Sequence, residues 1–168
     1  MLQFTPFSQH QPGLIVALLS ASYAEYFVDD PGCREPWQQS WEQYDSMILA
    51  HPETVGACGF VTCLAGQPIG FGSWDPRQFP TAIIGHNCIL PDFRGQSYGK
   101  QQLSEVLRLL RQQGFAQVRV TTGEQPFFAP ARRMYQACGF HAVPRGVSEP
   151  YTKTTSLQYE LCLQQLPE

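Results

Sequence analysis

An α/β domain built on a mixed sheet is the fold class this sequence predicts, and three observations carry it. GACGFVTCL and PIGFGSW are two strand-like runs separated only by Ala65-Gly66-Gln67, a hairpin signal. TAIIGHNCIL, residues 81–90, is an apolar run with too little alternation for a one-faced sheet, so it reads as a buried strand that Pro91 ends. From Tyr98 the hydrophobic period changes to a helical one, and FAQVRVTT then returns to a strand pattern. The resulting strand, helix, strand unit should place its two strands parallel, joined by a right-handed crossover. At 168 residues, 43% hydrophobic and 15% charged, the chain reads as one ordinary soluble globular domain spanning 1–168.

In chain order, LQFTPF, residues 2–7, is the first strand. A helix follows from Leu14 to about Phe27 and is ended by Asp29, Asp30, Pro31 and Gly32. Pro36 opens a second helix, in which Trp37, Trp41, Tyr44 and Ile48 recur at i, i+4, i+7 and i+11. That aromatic stripe reads first as core packing, and secondarily as the border of a substrate cleft. Asp75-Pro76-Arg77 is expected to close the second run of the hairpin with a turn. Leu103, Val106, Leu107 and Leu110 mark one face of the helix that stops near Gly114. A last helix begins around Pro130, places Ala131, Met134, Tyr135 and Cys138 on one face, and is capped by Gly139. Phe140–Val143 and Ser156–Leu163 close the sheet, giving about seven strands and about four helices.

A net charge of -3 argues against nucleic acid or an acidic membrane surface as partner. LIVALLSASYA, residues 14–24, has no Lys or Arg before it and is too short for a membrane span, so the expectation is a cytoplasmic protein. Six scattered cysteines, without a CxxC pair or His at zinc spacing, read as buried free thiols, and no metal site is expected.

The chemistry concentrates in ILPDFRGQSYGKQQL, residues 89–103. Where a buried strand feeds a helix, the first helical N–H groups lack partners and sit at the positive end of the dipole, which suits phosphate. Gly95 and Gly99 would allow close approach to the main chain, with Arg94 and Lys100 adding charge. The same residues also serve as a turn and a helix-packing position, and alone they fit both roles equally. A P-loop is excluded because three residues separate the glycines and Gln101 follows Lys100. GxGxxG is absent as well.

RGQSYG, residues 94–99, resembles the coenzyme A pyrophosphate loop of the GCN5-related N-acetyltransferases (GNAT), Q/R-x-x-G-x-G/A, with Ser97 where the middle glycine is usual. MYQACGF, residues 134–140, resembles that family's late helix ending in Y-x-x-x-G-F. The resemblance implies a GNAT-like fold whose parallel strand pair is splayed, with acetyl-CoA as cosubstrate. It implies that Cys88, Ile89 and Leu90 contact pantetheine through main-chain groups. The amides of Gln96, Ser97, Tyr98, Gly99 and Lys100 would hold the pyrophosphate, and a backbone N–H near Ile89 would polarise the thioester carbonyl. Tyr135 matches the family's usual acid, and its tyrosine hydroxyl is protonated at neutral pH. His86, Glu124 and Asp75 are candidates for the base, and a water chain without a single base is also consistent with the family. Phe128 stands where a pantetheine-binding Asn is frequent, replacing a polar contact by apolar packing. Arg132 and Arg133 are expected in solvent.

Two other readings compete. His86 and Cys88 share a strand face, as a Cys–His hydrolase would require. A non-catalytic acyl-CoA-binding module would keep the loop without needing Tyr135. The acceptor is a small-molecule or protein amine, with antibiotic, polyamine, amino acid and protein acceptors all open, and a homodimer is compatible with the resemblance.

Overall fold

Ala65 (φ 50) and Gly66 (φ 80) both take left-handed backbone, the geometry a two-residue hairpin requires. They join β2 (Gly59–Leu64) to β3 (Gln67–Gln78), and β1 (Leu2–Thr5) pairs antiparallel with β2 from Leu2↔Leu64 to Thr5↔Val61. The computed structural model describes residues 1–144 and 156–163. Its strands form a mixed sheet of seven, as the sequence predicted, in the order β1-β2-β3-β4-β5-β7-β6. β4 (Thr81–Ile89) and β5 (Gln117–Gly123) form the parallel pair, in register over Thr81↔Gln117, Ala82↔Val118 and Ile83↔Arg119. β4 is nine residues long and so outruns this three-pair ladder. β5 pairs along its whole length with antiparallel β7 (Ser156–Cys162), and β6 (His141–Val143) lies beyond it.

Two expectations about boundaries are corrected. The first helix is two: α1 (Leu14–Ser22) ends at Tyr23, and α2 (Tyr26–Asp29) follows as a single turn. With α3 (Arg34–Ala50), α4 (Tyr98–Gln112) and α5 (Ala129–Ala137), the described residues hold five α-helices instead of four. Nor does Asp75-Pro76-Arg77 turn the chain. The Asp75 carboxylate takes the Arg77 backbone N–H at 3.0 Å and its guanidinium at 2.6 Å, which satisfies this stretch locally while β3 runs on to Gln78. The turn falls instead at Phe79-Pro80.

The described residues divide into two compact units, and β3 and β4 contribute to both. One comprises Met1–Ser73 and His86–Leu103. Its core gathers Leu18, Leu19, Phe27, Trp41, Val61, Ile69, Phe71 and Leu103, all at most 5% exposed. The other comprises Trp74–Gly85 and the described part of Ser104–Glu168, cored by Ala82, Val106, Leu110, Val118, Val120 and Leu161. Both helix stops read from the sequence hold: Gly114 (φ 84) follows α4 and Gly139 (φ 92) follows α5, each in the left-handed conformation that closes a helix.

Candidate functional site

β4 ends in a turn of 3-10 helix, Pro91–Phe93, held by Phe93 N–H to the Leu90 carbonyl (3.0 Å) and Arg94 N–H to the Pro91 carbonyl (3.1 Å). The backbone then changes sense twice, from Arg94 (φ -74) to Gly95 (φ 76), with Ser97 again at φ 63. Ser97 adopts the left-handed conformation a glycine would take without strain, at a cost of about 1 kcal/mol. Its carbonyl accepts the first helical bond, from Gln101 N–H at 3.1 Å, so α4 starts directly from it. Arg94, Gly95, Gln96 and Ser97 are exposed, and a Cβ on Gly95 would meet nothing within 4 Å. The result is an open stretch of main chain feeding the positive end of a fifteen-residue helix, the arrangement that makes anion-binding concavities.

Arg94 points back into its own unit. Its Nε donates to the Ile89 carbonyl (3.0 Å) and its Nη2 to the Ser22 carbonyl at the end of α1 (2.7 Å), fastening the loop to both elements. Leu90 is likewise engaged within the protein: its N–H donates to the Ile69 carbonyl at 2.8 Å, and its carbonyl accepts from Phe93.

Beneath this strand lies a residue the sequence reading passed over. Gln102, on the first turns of α4, is completely buried. Its Oε1 accepts from Thr62 Oγ1 on β2 (2.6 Å). Its Nε2 donates to the Phe71 carbonyl on β3 (2.9 Å), to Asn87 Oδ1 on β4, and weakly to the Cys88 carbonyl at 3.4 Å. One amide thus ties the helix that carries the loop to three strands. The Asn87 amide nitrogen is buried and has no hydrogen-bond partner among the described residues.

His86 opens the same strand segment. Its backbone N–H donates to Ser73 Oγ at 2.9 Å, and its ring lies between Tyr44 and Phe71, centroids 5.2 and 5.6 Å away. Burial lowers its pKa from the usual 6.5 to about 4, and burial also raises that of Tyr44 to about 12. His86 is therefore neutral at physiological pH. The unfolded chain takes up this proton below about 6.5, whereas the folded chain does so only near 4. Stability is thus complete above that window and falls as pH drops through it, by up to about 3 kcal/mol. His86→Gln is expected to remove this part of the acid sensitivity, bringing the urea midpoints measured near neutrality and near pH 4.5 closer together than in the unsubstituted protein.

The Cys88 thiol does not suit a nucleophile. It is 8% exposed, and burial pushes its pKa up to about 11, so the thiolate is scarce at neutral pH. His86 and Cys88 both lie on β4, but a Cys–His hydrolase needs an accessible thiolate, which this burial does not provide. All six cysteines are free thiols; Cys63 and Cys88 are buried, while the other four are partly exposed, contrary to the expectation that all would be buried. Among the described residues no cluster of His, Cys, Asp and Glu could hold a metal, and no helix is long and apolar enough to cross a membrane.

The second unit holds the remaining candidates. Tyr135 is 5% exposed, its ring against Phe140 (5.5 Å) and Tyr159 (6.5 Å), and its carbonyl accepts the Phe140 N–H that closes α5. Phe128 packs against Phe127 and over Gly123, where a Cβ would come within 2.5 Å of its ring. Glu124 follows directly on β5 and is partly buried. Arg132 is not in solvent as expected: its Nη1 donates to the carbonyls of Gly123 (2.6 Å) and Gln125 (3.2 Å), satisfying backbone acceptors where β5 ends. Arg133 is exposed. Asp75 is the poorest base, because the Arg77 side chain holds its carboxyl below the usual range.

A parallel pair that outruns its own ladder, followed by an open loop and an amphipathic helix, defines an α/β protein with an exposed turn at the start of α4. The model of the Acetyltransferase (GNAT) family matches residues 18–140, and the chain belongs to that family. No curated protein matches the sequence. Among solved structures, a Desulfovibrio desulfuricans protein assigned to the GNAT acetyltransferases superposes with a TM-score of 0.75 at 16% identity, covering 97% of this chain and 98% of that one. A GNAT-family acetyltransferase from Staphylococcus aureus Mu50 gives 0.67 at 15% identity, covering 97% and 99%. The PaiA N-acetyltransferase of Thermoplasma acidophilum, solved with coenzyme A, gives 0.66 at 12% identity, covering 96% and 99%. At such identities the likeness is one of fold.

Proposed function

We propose that this GNAT acetyltransferase is an N-acetyltransferase that moves the acetyl group of acetyl-CoA onto a primary amine by direct attack, with both substrates bound together. The observation that carries the reading is the 94–100 turn: exposed main chain with left-handed Gly95 and Ser97 at the start of α4. In this role the amides of Gln96 to Lys100 hold the pyrophosphate, and Arg94 keeps the turn in place through its bonds to Ile89 and Ser22. Bound acetyl-CoA supplies an electrophilic thioester carbon.

The protein's own residues then have two tasks. A backbone N–H at Ile89 stabilises charge developing on the acyl oxygen. Neutral His86 accepts a hydrogen bond from the amine, and Glu124 is the second candidate for taking its proton. Tyr135 donates a proton to the departing thiolate. Tyr135→Phe is expected to lower kcat by roughly 10²- to 10⁴-fold, with little change in acetyl-CoA affinity. Release of coenzyme A thiol and calorimetry separate the two effects. A non-catalytic acyl-CoA-binding module would bind acetyl-CoA but turn over no amine, and Tyr135→Phe would then alter stability alone.

A further inference from the structure

Trp37 and Trp41, which helical spacing placed on one face of α3, line a cavity of about 260 Å³ together with Tyr23, Ser40 and His86. The three aromatic rings form one continuous wall. Tyr23 lies 5.4 Å from Trp37 at 83° and 5.6 Å from Trp41 at 40°, and the two indoles are 6.2 Å apart. This wall is backed on the far side: Tyr26 stacks on Trp37 at 5.2 Å, and Phe27 packs against both indoles at 5.8 Å. Tyr44 and Phe71 grip the imidazole in turn. A wall supported in this way is formed before any ligand arrives, which limits the ordering cost of binding.

Two properties of the lining select a ligand. Its volume lies below the roughly 300–1,000 Å³ of sites for drug-sized molecules, so the occupant is small. No lining side chain is ionised at neutral pH, since His86 is held neutral and the rest are Ser, Tyr and Trp. A second charged group on the acceptor would meet no counter-charge in this lining. An aryl ring instead gains edge-to-face contacts of the kind the wall already makes. Position agrees with this choice, because His86 precedes Ile89 by three residues, about 10 Å along an extended strand.

We propose that this cavity receives the acceptor, and that the acceptor is a small primary arylalkylamine whose ring lies against Tyr23, Trp37 and Trp41 with its nitrogen toward His86. The assignment rests on the N-acetyltransferase reading above. In the reaction the amine nitrogen bonds to the acyl carbon, the carbon–sulfur bond breaks, the thiolate leaves with a proton, and the amine gives up one.

The test compares 2-phenylethylamine, 1,4-diaminobutane and phenylalanine as acceptors, following coenzyme A thiol release. The expected kcat/KM for 2-phenylethylamine exceeds each of the others by roughly tenfold or more. Trp37→Leu should erase that preference while acetyl-CoA affinity stays within about twofold. Should Trp37→Leu fail to fold, Ser40→Asp on the exposed side of the cavity serves instead. It should shift the ratio of kcat/KM values toward 1,4-diaminobutane by roughly tenfold. Acetylation of the diamine or the amino acid in preference, with either variant leaving the ratio unmoved, overturns the assignment. Failure of the enzymatic reading is distinct: the protein would not bind acetyl-CoA, while its tryptophan fluorescence would still titrate with 2-phenylethylamine.

Discussion

Gln102→Leu is expected to lower the unfolding free energy by about 3 kcal/mol, although leucine fills almost the same volume on a helix that favours it. The loss arises in the partners. Thr62 is fully buried and its hydroxyl has Gln102 Oε1 as acceptor, while the Phe71 carbonyl and Asn87 Oδ1 take the amide hydrogens. Each buried group left unpaired costs about 1–3 kcal/mol. Removing both ends of one bond should recover part of this. In a cycle with Thr62→Val, the double substitution is expected to be less destabilising than the sum of the singles by about 1 kcal/mol, measured by urea denaturation. A Gln102→Leu protein as stable as its parent would show that the amide does not join α4 to the strands.

Gly70→Ala is expected to be about as damaging to stability and more specific in its effect on binding. A Cβ at this position would lie 2.1 Å from the Cys88 carbonyl oxygen and 2.8 Å from Ile89 Cδ1. The first obstacle is backbone, so β3 and β4 would have to move apart, which places the cost at or above the upper end of the roughly 1–3 kcal/mol of an overpacked core. The displaced main chain at Cys88 and Ile89 is the segment assigned to pantetheine. Acetyl-CoA affinity should therefore fall by at least about tenfold in protein that remains folded by circular dichroism. Serine at the same position meets the same carbonyl and should behave alike.

The sheet was legible because its strands obey local rules: a two-residue left-handed turn at Ala65-Gly66, proline after Leu90, and a clean change of period at Tyr98. The loop was legible because its shape depends on a few residues in sequence order, and Ser97 takes the left-handed conformation of the glycine it replaces. What escaped depended on partners distant in sequence. Asp75-Pro76-Arg77 looks like a turn until the carboxylate is seen to satisfy Arg77 within a continuing strand. Arg132 looks like a surface cation, and only the end of β5 gives it two carbonyls. Gln102 lies four residues before Val106, which sets it on the apolar face of α4, and that spacing was the available signal. A polar residue within an apolar stripe marks a buried hydrogen-bond hub when acceptors lie opposite, and those acceptors are backbone groups that no side-chain pattern reveals.

The central claim, that the turn from Arg94 to Lys100 receives the phosphates of acetyl-CoA, is tested most directly by calorimetry with Gly95 substituted. Asn and Asp both tolerate left-handed backbone, and a side chain at Gly95 enters open space. Gly95→Asn should therefore bind acetyl-CoA nearly as the parent does, whereas Gly95→Asp should bind at least about tenfold more weakly through charge alone. Equal affinities in the two variants, or no binding by the folded parent protein at about 1 mM ligand, would contradict it.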